Sequence, residues 1–176
     1  MFPSPQQRQC TSDLKRGPIE RTIRGITRER EALGIESWGL VVNCMGMRAE
    51  ESPGRKKLTP FKQSTSNSKA GREWYDWLPI HSWTEADVFD AISGAGQRPH
   101  VIYSLGMTRF SCCFCIMASE QDLRTAARLA TDRPELLNDP RLYRKYSDLE
   151  RSTGQVMLMP KNGSRRSLEQ ITGVAA

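Results

Sequence analysis

Trp38-Gly39-Leu40-Val41-Val42-Asn43-Cys44-Met45 runs directly into Gly46-Met47-Arg48-Ala49-Glu50-Glu51-Ser52. The first part is largely apolar and rich in strand formers, and the second is a polar loop. A nearly continuous apolar run of this length predicts a strand buried on both faces, as in parallel sheets flanked by helices. Ligands bind such sheets at the carboxyl ends of their strands. This stretch therefore predicts an α/β fold with a ligand loop after residue 45.

Upstream, Pro18 suits a first helical position, Ile19, Ile23, Ile26 and Leu33 recur at helical spacing, and Gly34 is a natural stop. Residues 1–17 are polar and proline-rich and read as an irregular lead-in. Downstream, Glu73 to Ile80 reads as extended. Thr84 with Asp87 three residues on caps a short helix carrying Val88 and Ile92, closed by Gly94 and Gly96. Ser119 with Asp122 starts a helix through Ala130, and Asp139-Pro140 starts one carrying Leu142, Tyr146 and Leu149. Residues 156–176 are weakly patterned and read as a weakly ordered tail.

The chain of 176 residues is long enough for one domain with a hydrophobic core. It has no apolar run near the ~18 residues of a membrane span, and Met1 to Pro5 lacks the apolar core of a signal peptide. A cytoplasmic protein is expected. The formal charge is +6, and six cations, Arg55, Lys56, Lys57, Lys62, Lys69 and Arg72, lie between residues 52 and 72 with no acid among them. The basicity is therefore local and marks an anion-binding segment, or more blandly a solvated, mobile basic loop.

Five cysteines are present, three of them within Cys112-Cys113-Phe114-Cys115. These are too close to form a disulfide framework, so thiolate ligation is the better expectation. Cys112-x-x-Cys115 has the spacing at which one tight turn aims two sulfurs at one metal, and sulfur selects zinc or iron-sulfur. Cys113 is a further ligand or an inward-packed spare. Cys10 lies in a polar segment where a packing cysteine is unexpected, which favours it as a ligand. Cys44, inside the apolar strand, reads as a small buried hydrophobe. His81 and His100, each beside aromatic residues, read as hydrogen-bonded structural residues. Arg48, Ser52 and Arg55 offer two guanidiniums and a hydroxyl after a strand, a set suited to a phosphate or sulfate oxyanion. Glu50 and Glu51 would repel that anion unless they hold the arginines or a divalent ion.

Four segments in order resemble the phosphoadenosine phosphosulfate reductase family, in its phage- and plasmid-borne branch. They are Cys10-Thr-Ser-Asp-Leu-Lys15-Arg16-x-Pro18, then Gly46-Met-Arg48-Ala-Glu-Glu51-Ser52-Pro-x-Arg55. Trp77-Leu-Pro79-Ile80-x-x-Trp83-Thr-x-x-Asp87-Val88 follows, and Tyr103-x-Leu-Gly106-x-x-Arg109-x-x-Cys112-x-x-Cys115 is last. The resemblance covers about residues 8 to 155. It implies a Rossmann-like adenine nucleotide alpha-hydrolase fold of the pyrophosphate-loop kind, with a helical C-terminal portion.

By the same resemblance Lys15, Arg48 and Arg55 lie near the phosphate or sulfate of an adenine nucleotide or sulfonucleotide, while Cys10, Cys112 and Cys115 match three of four cluster ligands. A [4Fe-4S] cluster is implied, with Cys113 or another group as fourth ligand, or zinc in its place. Thr11 stands where the fourth cysteine is expected. The family's Ser-Gly-Gly-x-Asp-Ser nucleotide loop does not occur in the sequence, nor does its Glu-Cys-Gly-x-His segment, and no cysteine follows Cys115. The fold is thus expected to be incomplete, with residues 1–155 as the C-terminal part of such a domain and another chain supplying the loop. An oxidoreductase or sulfurtransferase role follows. The alternative is a metal-stabilised basic module that binds nucleic acid or a partner chain.

Overall fold

The structure is a computed structural model that describes residues 9–35, 39–69, 71–158 and 163–176. The chain divides into two compact units, one of Met1–Gly17 with His100–Ala176 and one of Pro18–Pro99.

Helical structure begins earlier than the sequence predicts. Instead of an irregular lead-in, α1 (Gln9–Thr11), a π turn (Ser12–Arg16) and α2 (Gly17–Ala32) follow one another without a break. The reason lies in Gly17-Pro18. Proline has no N–H, and its ring conflicts with the carbonyl four residues back, so an uninterrupted α-helix is disfavoured there. The wider π turn, with the Gly17 N–H donating to the Ser12 carbonyl, opens the preceding ladder. A β-carbon at residue 17 would lie 2.8 Å from the Ser12 oxygen, so only glycine fits without a shift.

The unit of Pro18–Pro99 contains a three-stranded sheet in the order β1 (Leu40–Cys44), β3 (Glu73–Trp77), β2 (Phe61–Gln63). β1 runs parallel to β3 and β2 antiparallel to it. The expected strand is present, but it is not buried on both faces. Leu40, Val42 and Cys44 are exposed on one face, while Val41 and Asn43 on the other are half-buried. The reading of Cys44 as a buried hydrophobe is corrected, because alternation places its thiol on the uncovered face.

Where described, residues 52–72, expected as a mobile basic loop, contain α3 (Pro53–Lys56), β2 and a turn anchored by long-range contacts. Buried Asn67 accepts Arg24 Nη1 on its side-chain oxygen at 2.9 Å, and its backbone oxygen accepts Arg72 Nε and Nη2 at 3.3 and 3.1 Å. Ser68 Oγ bonds the backbone N–H of fully buried Trp74 at 3.0 Å. None of this is encoded within one short window. α4 (Glu85–Gly94) begins as predicted with reciprocal capping between Thr84 and Asp87.

The second unit is built on α5 (Glu120–Asp132), α6 (Leu142–Thr153) and α7 (Leu168–Thr172). Leu123, Ala127, Tyr143 and Leu168 form the centre of its core. The tail read as weakly ordered from residue 156 is docked where described. Leu168 and Ile171 are buried, Arg124 Nε donates to the Ile171 carbonyl at 3.0 Å, and the Tyr143 hydroxyl donates to the Val174 carbonyl at 2.5 Å. Glu150, itself buried, accepts the backbone N–H groups of Met157 at 2.6 Å and Leu168 at 2.7 Å. A short amphipathic segment carries too little pattern to announce such docking.

Candidate functional site

The polar loop leaves β1 at its carboxyl end and is fastened to the chain that follows β3. Met45 N–H donates to the Trp77 carbonyl and Ala49 N–H to the His81 carbonyl, both at 2.8 Å. Residues Ala49–Glu51 form a 3₁₀ turn, after which Ser52 caps α3 by accepting the Arg55 N–H at 3.2 Å. His81 Nε2 lies 2.9 Å from the Arg55 carbonyl, which can only accept, so the imidazole donates. His81 therefore has a structural bond, as does His100, whose Nδ1 accepts the Ile102 N–H at 3.3 Å.

Within this loop the two arginines and two glutamates are paired. Arg48 Nη1 meets Glu50 Oε2 at 2.5 Å and the Trp83 carbonyl at 3.4 Å. Arg55 Nη1 is in close contact with Glu51 Oε2, which also accepts the Arg48 backbone N–H at 3.1 Å. Glu50 in turn accepts the Glu85 N–H at the start of α4, at 2.9 Å. The question left by the sequence is answered by the first of its two options, since the carboxylates hold the arginines. Each guanidinium has five N–H donors in a planar fork, more than one carboxylate occupies, so a pre-oriented fork can also meet an oxyanion. Arg48 also helps hold the Asp87 carboxyl below its usual range, after the larger contributions from Thr84 hydrogen bonds. Arg48, Ser52 and Arg55 are thus gathered in one short turn. Lys15, exposed in the π turn, belongs to the other unit.

The cysteine segment is a turn closed at both ends on α5. Thr108 N–H and Oγ1 bond Asp122 at 2.7 Å and 2.8 to 3.0 Å, and Ser119 Oγ bonds the same carboxylate at 2.9 Å. Burial would raise the Asp122 carboxyl, but the bonds from Thr108 and Ser119 outweigh it and hold the group below its usual range. Phe114 is buried and packs its ring against Tyr143 and Tyr146, at centroid distances of 5.4 and 5.8 Å. That contact anchors the middle of the turn, with Cys112 and Cys113 before it and Cys115 after it.

The three thiols differ. Cys112 is exposed, and Cys115 is half-buried with its sulfur accepting the Met117 N–H at 3.4 Å. Cys113 packs against the core, and burial pushes its thiol up to about 11. An N–H aimed at sulfur suits a ligating thiolate, whereas a thiol raised by burial suits a packed neutral one. Cys10, half-buried in α1, belongs to the same unit. Among the described residues, no three His, Cys, Asp or Glu side chains stand in a geometry that would hold a metal ion. Cys10, Cys112 and Cys115 are therefore not closed into a ligand set.

One neighbour of this turn was read only as part of a helix face. Tyr146 of α6, whose ring packs against Phe114 at 5.8 Å, has its phenol raised by burial first and then by Cys112, Cys113 and Cys115. Its sequence signal is the i, i+3 spacing with Tyr143, which sets both rings around Phe114.

A parallel strand, an arginine and carboxylate loop at its carboxyl end and a separate thiol turn define an α/β protein. The family model of the phosphoadenosine phosphosulfate reductase domain matches residues 7–118, and the chain belongs to that family. Membership brings the Rossmann-like α/β fold with it, of which the three strands here are a part. The chain is 30% identical over 123 residues to an uncharacterized 37.8 kDa protein in the gpa 5′ region of Escherichia phage 186. The match takes in 69% of this chain and 34% of that protein, so the chain spans about a third of this relative's length. No solved structure matches. Among the described residues no helix is long and apolar enough to cross a membrane.

Proposed function

We propose that this chain binds the anionic end of an adenylated nucleotide or sulfonucleotide and works in sulfonucleotide reduction or sulfur transfer. The observation that carries this reading is the pairing of Arg48 with Glu50 and of Arg55 with Glu51 at the carboxyl end of β1. Two forks fixed before the ligand arrives lose less freedom on binding than mobile side chains would. Ser52 contributes its hydroxyl, while Lys15 enters only through the resemblance to the family, as a cation for the same class of ligand. The Ser-Gly-Gly-x-Asp-Ser loop that cradles phosphate in the family does not occur in these 176 residues, and in this reading another segment supplies it.

Cys112 and Cys115, joined by Cys10, are the residues that would hold a [4Fe-4S] cluster, with zinc as the alternative occupant. Such a cluster supplies electron transfer or, at an open iron, a place for sulfur. The chain's own contribution is the fixed turn, the Met117 N–H on the Cys115 sulfur and the cover given by Phe114 and Tyr146.

The test is a calorimetric titration with adenosine 5′-phosphosulfate, run beside adenosine monophosphate. Arg48→Ala and Arg55→Ala should each weaken sulfonucleotide binding by about tenfold or more, the cost of a lost charge-assisted bond. Equal binding by both variants, or binding only of short DNA or RNA with steep salt dependence, would favour the other reading, a basic module acting through exposed Lys56, Lys57, Lys62 and Lys69.

A further inference from the structure

The sheet of the Pro18–Pro99 unit has one covered face and one bare one. Trp74 on the covered face is fully buried, and Leu78 just beyond it is 4% exposed. On the opposite face the register brings Val42 beside Tyr75, Cys44 beside Trp77, and Trp77 beside Phe61. Leu40, Val42, Phe61 and Trp77 there are 53%, 43%, 52% and 43% exposed. α2 likewise has no buried residue, and its Ile19 and Ile26 are each more than half exposed. An apolar patch of this kind left in water, with Glu73 and Gln63 of the same face at its rim, is the mark of an interaction surface.

The two edges of the sheet are chemically unlike. β2, on one edge, is preceded by Pro60 and carries Lys62, devices that prevent another strand from pairing there. β1, on the other edge, has no charge and no proline in Leu40-Val41-Val42-Asn43-Cys44. It also runs parallel to its one neighbour among the described residues. Parallel pairing belongs to sheets whose strands are flanked on both sides and whose faces are covered. β1 therefore has the composition and pairing of an interior strand while standing at an edge.

The geometry points to a docking surface on which a polypeptide segment from outside these 176 residues lays a strand along β1 and an apolar helix over Leu40, Val42, Phe61 and Trp77. A second copy of this chain accounts for half of the surface only. Copies joined edge to edge would leave the bare face in water, and copies joined face to face would leave the β1 edge unpaired. A segment with both a strand and a helix satisfies both. The phage 186 relative has room for it, since about two thirds of its length lies beyond the match. The inference rests on the proposed function only in that the same segment would bring the phosphate-cradling loop.

The probe is the part of the phage 186 protein outside the matched region, produced as a separate tagged chain and mixed with this one. The expected result is a one-to-one complex in which amide exchange across Leu40–Cys44 slows by about tenfold or more. The double change Leu40→Glu with Val42→Glu should abolish the complex and leave the melting of the isolated chain unchanged, because both side chains are exposed. Lys62→Glu on the other edge should leave the complex intact.

No complex, or one indifferent to the β1 changes, would overturn the inference. So would a homodimer of this chain that the same changes dissociate. Adenosine 5′-phosphosulfate binding is read on the same samples. Docking lost with nucleotide binding kept counts against this surface alone, and the reverse counts against the proposed function alone.

Discussion

The carboxylate of Asp122 accepts the backbone N–H of Thr108 at 2.7 Å, and so fastens the start of the cysteine turn to helix α5. The same group caps α5 through Ser119, so one buried side chain holds both ends of the segment from 108 to 119. Its carboxyl is held below the usual range in the folded state. The stabilising contribution is therefore complete above the unfolded value and is lost as pH falls through the lower, folded value. Melting temperature should fall on acidification below the ordinary carboxylate range, and Asp122→Asn should flatten that limb. At neutral pH the variant should lose about 1 to 3 kcal/mol, the cost of impairing a buried hydrogen-bonded group. Identical acid limbs in the two proteins would show that other carboxylates govern the response.

Glu51 gives a test whose sign is informative. If it serves to hold Arg55, Glu51→Gln should weaken adenosine 5′-phosphosulfate binding several-fold even though it removes a negative charge. If charge repulsion dominates, the same change should tighten binding. The titration proposed above reads either outcome directly.

The cysteines should react in a definite order. Burial pushes the Cys113 thiol up to about 11, which leaves only about one thiol in a thousand ionised at pH 8. Cys112 and Cys44 are exposed. Alkylation with iodoacetamide under native conditions, mapped by mass spectrometry, should label those two first and Cys113 last. Early labelling of Cys113 would mean that the Phe114 anchor opens readily.

Gly17 should be intolerant of even a methyl group. A β-carbon there would lie 2.8 Å from the Ser12 oxygen, and backbone rather than a flexible side chain would have to move. Gly17→Ala should cost about 1 to 3 kcal/mol, the range for overpacking, although alanine is ordinarily the better helix former. Circular dichroism during thermal melting checks the sign.

What the sequence disclosed was chiefly local. Thr84 with Asp87 and Ser119 with Asp122 are reciprocal contacts three residues apart, so their helices could be read before any fold was known. β1 was legible from composition, and the Arg48 to Arg55 loop from its position after that strand. The hairpin through residues 61–77 was not legible, because its turn is held by Arg24 on Asn67, 43 positions apart. The bareness of Leu40 and Val42 was hidden for a related reason. An apolar run states what a strand is suited to touch, and not whether anything lies against it. Of the thiol turn, spacing gave the cysteines, while Tyr146 enters only through the packing of α6 on Phe114.

Glu150 holds Met157 with one carboxylate oxygen and Leu168 with the other, and so clamps the chain on either side of the intervening residues. One side chain of α6 thus carries two attachments that lie eleven positions apart in the chain, so a single substitution of Glu150 releases both at once.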